Sequence, residues 1–183
     1  VSHAVNDEAL DILFRKARTY RKWRAEPVTP QMLMAAYDLM RWGPTTNNTC
    51  PARIAFVVSQ AAKERLKPHL NKGNVEQTMT APAIAIFAYD LRFYDQMPKL
   101  SPNNPTSRES WMQKTPAEIE EAAFRSGTLQ AAYFMFAARA VGLDCGPMSG
   151  FSNQGVDKEF FAGTSVKSNF LCNLGYGSEE GLR

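Results

Sequence analysis

Thr115-Pro116-Ala117-Glu118 opens a run that continues through Ile119-Glu120-Glu121-Ala122-Ala123-Phe124-Arg125-Ser126-Gly127-Thr128 and meets no breaker before Gly142. Threonine followed three residues later by glutamate is a capping box, in which hydroxyl and carboxylate each satisfy a backbone donor of the first turn. Proline suits the first helical position, where a missing N–H costs nothing. The run predicts one helix of roughly 26 residues, about 40 Å long at 1.5 Å per residue. Its middle is small and apolar: Ser126, Gly127, Thr128, Ala131, Ala132, Ala137 and Ala138. A helix apolar on nearly every side belongs at the centre of a structure. In a chain of this size a second copy of the chain is the expected cover for its remaining faces.

Working outward, 183 residues suffice for one domain with a real core, so residues 1–183 are read as a single unit. An amphipathic helix is expected over 7–18. Thr29-Pro30 reads as N-cap and first position of a helix over 30–42, stopped by Gly43-Pro44. Strand 54–58 follows, then helices over 61–66 and 74–79. The apolar run 83–88 reads as a buried central strand. Residues 91–114, punctuated by Pro98, Pro102 and Pro105, read as an irregular lid or binding insert. After the long helix, Gly146-Pro147-Met148-Ser149-Gly150 reads as a turn whose glycines let main-chain amides approach a ligand. A helix over 156–161 and a strand over 169–176 close the order.

Composition removes several function classes. The apolar fraction of 44% and charged fraction of 21% are ordinary for a globular chain. No apolar run approaches the roughly 20 residues that span a bilayer, and the N-terminal residues lack a signal-peptide pattern, so no membrane partner is expected. Three cysteines without C-x-x-C spacing indicate neither a disulfide framework nor zinc, and suit a reduced, cytoplasmic compartment. Two histidines, His3 and His69, argue against His-ligated metals and His-activated nucleophiles. A net charge of +3 does not by itself imply nucleic acid.

Two polar segments carry candidate chemistry. Gly43-Pro44-Thr45-Thr46-Asn47-Asn48-Thr49-Cys50-Pro51 sets hydroxyls, amides and a thiol between two prolines. It reads either as a rigid rim for a flat, hydrogen-bonding ligand or as a loop bonding its own backbone. Arg15, Lys16, Arg18, Arg21, Lys22 and Arg24 form the one strongly basic stretch. It fits a solvated helix end, a nucleic-acid arm, or a phosphate cradle in which Arg18, Thr19 and Arg21 supply two guanidinium forks and a hydroxyl. Neither a Rossmann fingerprint nor a Walker loop is present.

Taken in order, Arg18-Thr19-Tyr20-Arg21-Lys22-Trp23, Pro44-Thr45-Thr46-Asn47-Asn48-Thr49-Cys50-Pro51 and Gly142 through Phe151 resemble three motifs of the nitroreductase superfamily of FMN-dependent oxidoreductases, across nearly the whole chain. Trp42-Gly43-Pro44-Thr45, Ala52-Arg53-Ile54, Thr80-Ala81-Pro82, Phe160-Phe161-Ala162-Gly163, Lys167-Ser168-Asn169 and Gly175-Tyr176-Gly177 are similar to one subgroup, the malonic semialdehyde reductases of pyrimidine breakdown. The resemblance implies an α+β fold, with a central mixed or antiparallel sheet flanked by helices and the long helix at a homodimer interface. It implies FMN as cofactor and NADH or NADPH as co-substrate, with a ping-pong cycle through flavin N5 that reduces malonic semialdehyde to 3-hydroxypropanoate.

It also assigns residues. Arg18, Thr19 and Arg21 would hold the phosphate, joined by Arg183, which stands near the place of an arginine that relatives carry further on. Thr45, Thr46 and Asn48 would lie beside the ring and ribityl chain, and Asn74 and Gln77 against the flavin. Pro147, Met148, Ser149 and Gly150 would present backbone to the ring. This chain departs from the family pattern at Ala17, where arginine is common, and at Cys50, where glutamine is usual. Nitroaromatic or quinone acceptors are the alternative substrates, and a flavin-binding module without turnover is the non-enzymatic alternative. A cation for a substrate carboxylate could be Arg53, Arg92, Arg108 or Arg125, with an intrahelical Glu121 pair the simpler reading of Arg125.

Overall fold

The computed structural model describes residues 3–180 and 182. Four strands form one antiparallel sheet in the order β1-β2-β4-β3, with β1 at Ala52–Val57, β2 at Ala83–Asp90, β3 at Asp144–Met148 and β4 at Val166–Gly175. β2 is buried along nearly its whole length, as its unbroken apolar run requires of a central strand. Beyond β3, Thr19 makes a parallel bridge to Cys145, so the N-terminal segment lies along that edge.

The long helix, α7, runs Pro116–Ala140 with its capping box formed. It ends in a Schellman motif: Gly142 sits at φ +88°, its N–H reaches Arg139 O (3.0 Å), and the Leu143 N–H reaches Ala138 O (2.9 Å). α2 (Pro30–Met40), capped by Thr29, packs with α7 on one sheet face. Leu33, Ala36, Met40, Phe87, Phe134 and Ala138 form the centre of that core. α3 (Gln60–Leu66) and α8 (Asn153–Phe160) cover the other face around Leu66, Ile84, Ile86, Val156 and Leu171. A short helix, α4 (Val75–Thr80), precedes β2.

Three expectations are corrected. The N-terminal helix stops short of Arg18: α1 (Asp7–Leu10) runs straight on into a π-helical stretch at Asp11–Arg15, and Thr19 lies beyond it in the bridge to Cys145. Residues 91–114 are not irregular: a 3₁₀ turn at Phe93–Gln96, α5 (Met97–Leu100) and α6 (Ser107–Met112) order them. Phe93 and Trp111 pack edge-on, 4.9 Å between centroids, and Pro98 falls within the first turn of α5, where proline is tolerated. The glycine-rich segment read as a turn is mostly strand β3, because β4 and the Thr19–Tyr20 backbone flank it on both sides.

The small residues of α7 serve its own chain. A Cβ on Gly127 would stand 3.1 Å from the Tyr89 Cβ on β2, and Ala131, Ala137 and Ala138 are buried in the core. Its outer face instead exposes Phe124, Leu129, Tyr133 and Phe136. Among the described residues, no helix is long and apolar enough to cross a membrane.

Candidate functional site

Two groups of polar residues stand out, and they occupy opposite edges of the sheet. The first gathers around β3. The Tyr20 N–H donates to Cys145 O (3.1 Å), which docks the Arg18–Arg21 segment on the strand. The approach leaves no room for a side chain at Gly146, where a Cβ would collide with the Tyr20 carbonyl. The indole N–H of Trp23 reaches Gln77 O (3.0 Å), tying the same segment to α4. The Gln77 amide donates to Asn74 Oδ1 (2.6 Å), and Asn74 Nδ2 donates to Gly150 O (2.9 Å). Met148 turns its sulfur toward Gln77 and Thr78. Residues distant in sequence (18–23, 74–77 and 146–150) thus share one network.

The electrostatics of this group are open-handed. Among the described residues, Arg18 donates only to the Arg15 and Ala17 carbonyls, both at 2.9 Å, and Arg21 has no carboxylate partner. Both are exposed, as is Thr19. Most other arginines are committed: Arg53 to Asp90 (2.8 Å), Arg92 and Arg108 both to Asp95, and Arg125 to Glu121. Two uncommitted guanidiniums beside a hydroxyl form a donor set for an anion with several oxygens.

The second group is the loop before β1. Asn47, Asn48 and Cys50 have φ of +49°, +57° and +43°, a left-handed conformation that non-glycine residues adopt at a cost. Hydrogen bonds hold it there. The Thr46 N–H donates to Ser126 Oγ (3.2 Å), Asn48 Nδ2 to Leu100 O (2.8 Å), and the Cys50 N–H to Thr45 Oγ1 (3.2 Å). The Ala52 N–H that follows donates to Gln130 Oε1 (2.9 Å). Ser126 and Gln130 were not singled out as site residues in the sequence. Their signal was two polar side chains, one helical turn apart, on the stripe of the helix that otherwise carries Ala123, Gly127, Phe134 and Ala138. Thr45, Thr46 and Asn48 are therefore brought together, but not with Arg18, Asn74 or Gly150. β1 and β3 are separated by three strand spacings of about 4.8 Å each, roughly 14 Å. Arg183 lies outside the described residues.

The model of the nitroreductase family matches residues 14–176. The chain belongs to that family. Among curated relatives of this nitroreductase-family protein, one from Cupriavidus pinatubonensis is 51% identical over 177 residues, covering 95% of this chain and 89% of its own. Another, from Stenotrophomonas maltophilia, is 51% identical over 182 residues, covering 100% and 92%. Both carry the provisional name NADH dehydrogenase/NAD(P)H nitroreductase. A provisionally named nitroreductase from Exiguobacterium sibiricum, solved in complex with FMN, superposes with a TM-score of 0.87 at 17% identity, over 100% of this chain and 94% of that one. At that identity the likeness is one of fold.

Proposed function

We propose that this nitroreductase-family chain is a cytoplasmic, FMN-dependent NAD(P)H oxidoreductase that acts as a homodimer and reduces malonic semialdehyde to 3-hydroxypropanoate. The observation that carries the reading is the pair of guanidiniums, Arg18 and Arg21, without a carboxylate partner among the described residues, on a segment that Tyr20 and Trp23 tie to β3 and to the Asn74–Gln77–Gly150 network. The names of the relatives and the FMN complex of a structural neighbour support it.

The residues present fit the cofactor. Arg18, Thr19 and Arg21 would bind the phosphate, with Arg183 assigned to the same end. Asn74 and Gln77 would meet the ring edge, their amides pre-oriented by the hydrogen bonds to each other and to Gly150 O. Pro147, Met148, Ser149 and Gly150 would offer main chain at close range, since a Cβ on Gly150 would collide with the Asn74 amide. Thr45, Thr46 and Asn48 would come from the second copy, because their own loop lies at the far edge of the sheet. The exposed apolar face of α7, with Phe124, Leu129, Tyr133 and Phe136, is the surface on which that copy would pack. When bound, FMN supplies hydride transfer between NAD(P)H and the acceptor, chemistry that no side chain here provides. The protein's share is to bind, orient and place donors where charge develops. Overall the aldehyde carbon gains a hydride and its oxygen a proton while NAD(P)H is oxidised.

The aldehyde assignment rests on the subgroup motifs, among them Lys167-Ser168-Asn169 and Phe160-Phe161-Ala162-Gly163. The relatives' names, which include nitroreductase, favour a second reading, reduction of nitroaromatic acceptors, with quinones as further candidates. One anaerobic titration followed by absorbance separates the two. A yellow protein bleached by NADH and restored by malonic semialdehyde supports the first, and restoration by quinones or nitroaromatics alone supports the second. A protein that binds no FMN would overturn both.

A further inference from the structure

Residues 18–24 and residues 74–80 come from distant parts of the chain, and among the described residues one hydrogen bond joins them. The first segment carries Arg18, Thr19 and Arg21. Main-chain bonds tie it to its surroundings: the Tyr20 N–H to Cys145 O (3.1 Å), the Arg24 N–H to Tyr176 O (2.8 Å) and the Ser178 N–H to Lys22 O (3.0 Å). The second is α4, which carries Gln77 and has Asn74 as its N-cap. The bond between them runs from the Trp23 indole N–H to Gln77 O (3.0 Å).

Both partners are set up for that bond. A helix of six residues is too short to hold its own place. α4 stops at Thr80, Ala81 is extended and Pro82 has no N–H, so the carbonyls of its last turn need partners from outside the helix. Gln77 O takes two, the Trp23 indole and the Asn173 amide (3.3 Å), and the buried Lys63 ammonium donates to Ala81 O just beyond. Asn173 and Lys63 fasten α4 to β4 and α3; Trp23 refers it to the basic segment. The indole itself has little freedom. Its six-membered ring lies across Gly146 of β3 and Gly175 of β4, where a Cβ on either glycine would stand 3.1 Å from it. An indole has a single donor and no acceptor, so a ring held this way delivers its N–H to one point.

We propose that Trp23 is a positioning residue, a strut that fixes the span between the phosphate end of the cofactor site and Gln77 at its ring end. The inference rests on the flavin-oxidoreductase reading above, which gives Arg18, Thr19 and Arg21 to the phosphate and Asn74 and Gln77 to the ring. A ligand pinned at both ends loses binding when Gln77 is displaced. Riboflavin, which has no phosphate, can slide to follow it. The strut therefore favours the phosphorylated flavin as well as orienting the ring.

Trp23→Phe keeps a flat ring over the two glycines and removes the N–H. Fluorescence titration of the flavin-free full chain with FMN and with riboflavin is the test, with Gln77→Ala and Arg18→Ala alongside. Trp23→Phe should weaken FMN about three- to tenfold, the worth of one neutral hydrogen bond, and leave riboflavin nearly unchanged. Gln77→Ala should weaken both flavins, and Arg18→Ala FMN alone. The visible absorption band of bound FMN gives a second readout: it should move in Trp23→Phe as it does in Gln77→Ala, and stay in place in Arg18→Ala. Three results would each overturn the strut while leaving the flavin reading standing: unchanged FMN affinity, equal weakening of both flavins (a general loosening of the fold), or weaker FMN with an unmoved band (damage to the cradle alone). A wild type that binds neither flavin would overturn the oxidoreductase reading, and the strut with it.

Discussion

Arg18→Ala separates ligand binding from folding. The guanidinium is exposed and its partners are two nearby carbonyls, Arg15 O and Ala17 O, so its removal leaves no buried charge behind. The apoprotein should lose no more than about 1 kcal/mol, the ordinary worth of an exposed hydrogen bond. Affinity for FMN should fall much further. Charge-assisted hydrogen bonds contribute about 1.5–3 kcal/mol, so losing one guanidinium from the phosphate should raise Kd roughly 10- to 150-fold. Because the site is open to solvent, the gap between wild type and variant should narrow toward 1 M salt, where the screening length is about 3 Å. Quenching of flavin fluorescence gives Kd, and thermal unfolding of the apoprotein gives the control. Arg24→Ala is the matched comparison, since Arg24 pairs with Glu26 at 3.2 Å and lies over the Tyr176 ring; its FMN affinity should be unchanged. Equal FMN affinity in wild type and Arg18→Ala, or a Kd change mirrored by loss of apoprotein stability, would refute the cradle.

Three further outcomes are expected. Gly150→Ala should push the Asn74 amide off Gly150 O and lower FMN occupancy while the secondary structure, read by circular dichroism, stays intact. Leu129→Glu puts a charge on the exposed apolar face of α7, and sedimentation should show a shift toward monomer together with loss of FMN; a monomer that retains FMN would place the whole site in one chain. Burial, aided by Glu120, raises the Tyr89 phenol to about 12. Its neutral form is favoured in the folded state, so the unfolded chain ionises first. Stability should be full below pH about 10 and decline as pH climbs toward 12. Denaturant melts across that window should flatten in Tyr89→Phe.

Local signals carried much of the fold. The Thr115–Glu118 box, the Thr29-Pro30 cap and the apolar run of β2 each act through neighbours a few residues away, and each is where the sequence places it. β3 escaped because Gly146 and Pro147 have turn chemistry. They become strand only when β4 and Tyr20 supply partners from elsewhere in the chain. The insert was opaque for a related reason: its short helices are fixed by Phe93 and Trp111 packing with Tyr89, Met97 and Ala123, contacts no local pattern announces. In the site, the identity of the polar residues was legible and their distribution was not. Motif order along the chain cannot reveal that the loop before β1 and the strand β3 end on opposite edges of one sheet.

That separation decides how the pieces work together. One edge holds two guanidiniums with no carboxylate partner among the described residues, and the other holds a loop with three non-glycine residues in the left-handed region, each costing on the order of 1 kcal/mol or more. Between them, α7 turns four large apolar side chains outward. Within one chain each feature is a separate liability. In the proposed dimer a single two-fold contact addresses all three. The apolar faces would bury each other, and the loop of one copy would reach the β3 edge of its partner. Anion and ring would then share a site that neither chain completes alone. The strain in the loop follows from the same arrangement, because Ser126 and Gln130 anchor it to α7, the helix that would carry the interface. Cofactor binding and dimerisation should therefore be linked: raising FMN concentration should tighten the dimer, and diluting the protein below its dimer constant should release the flavin.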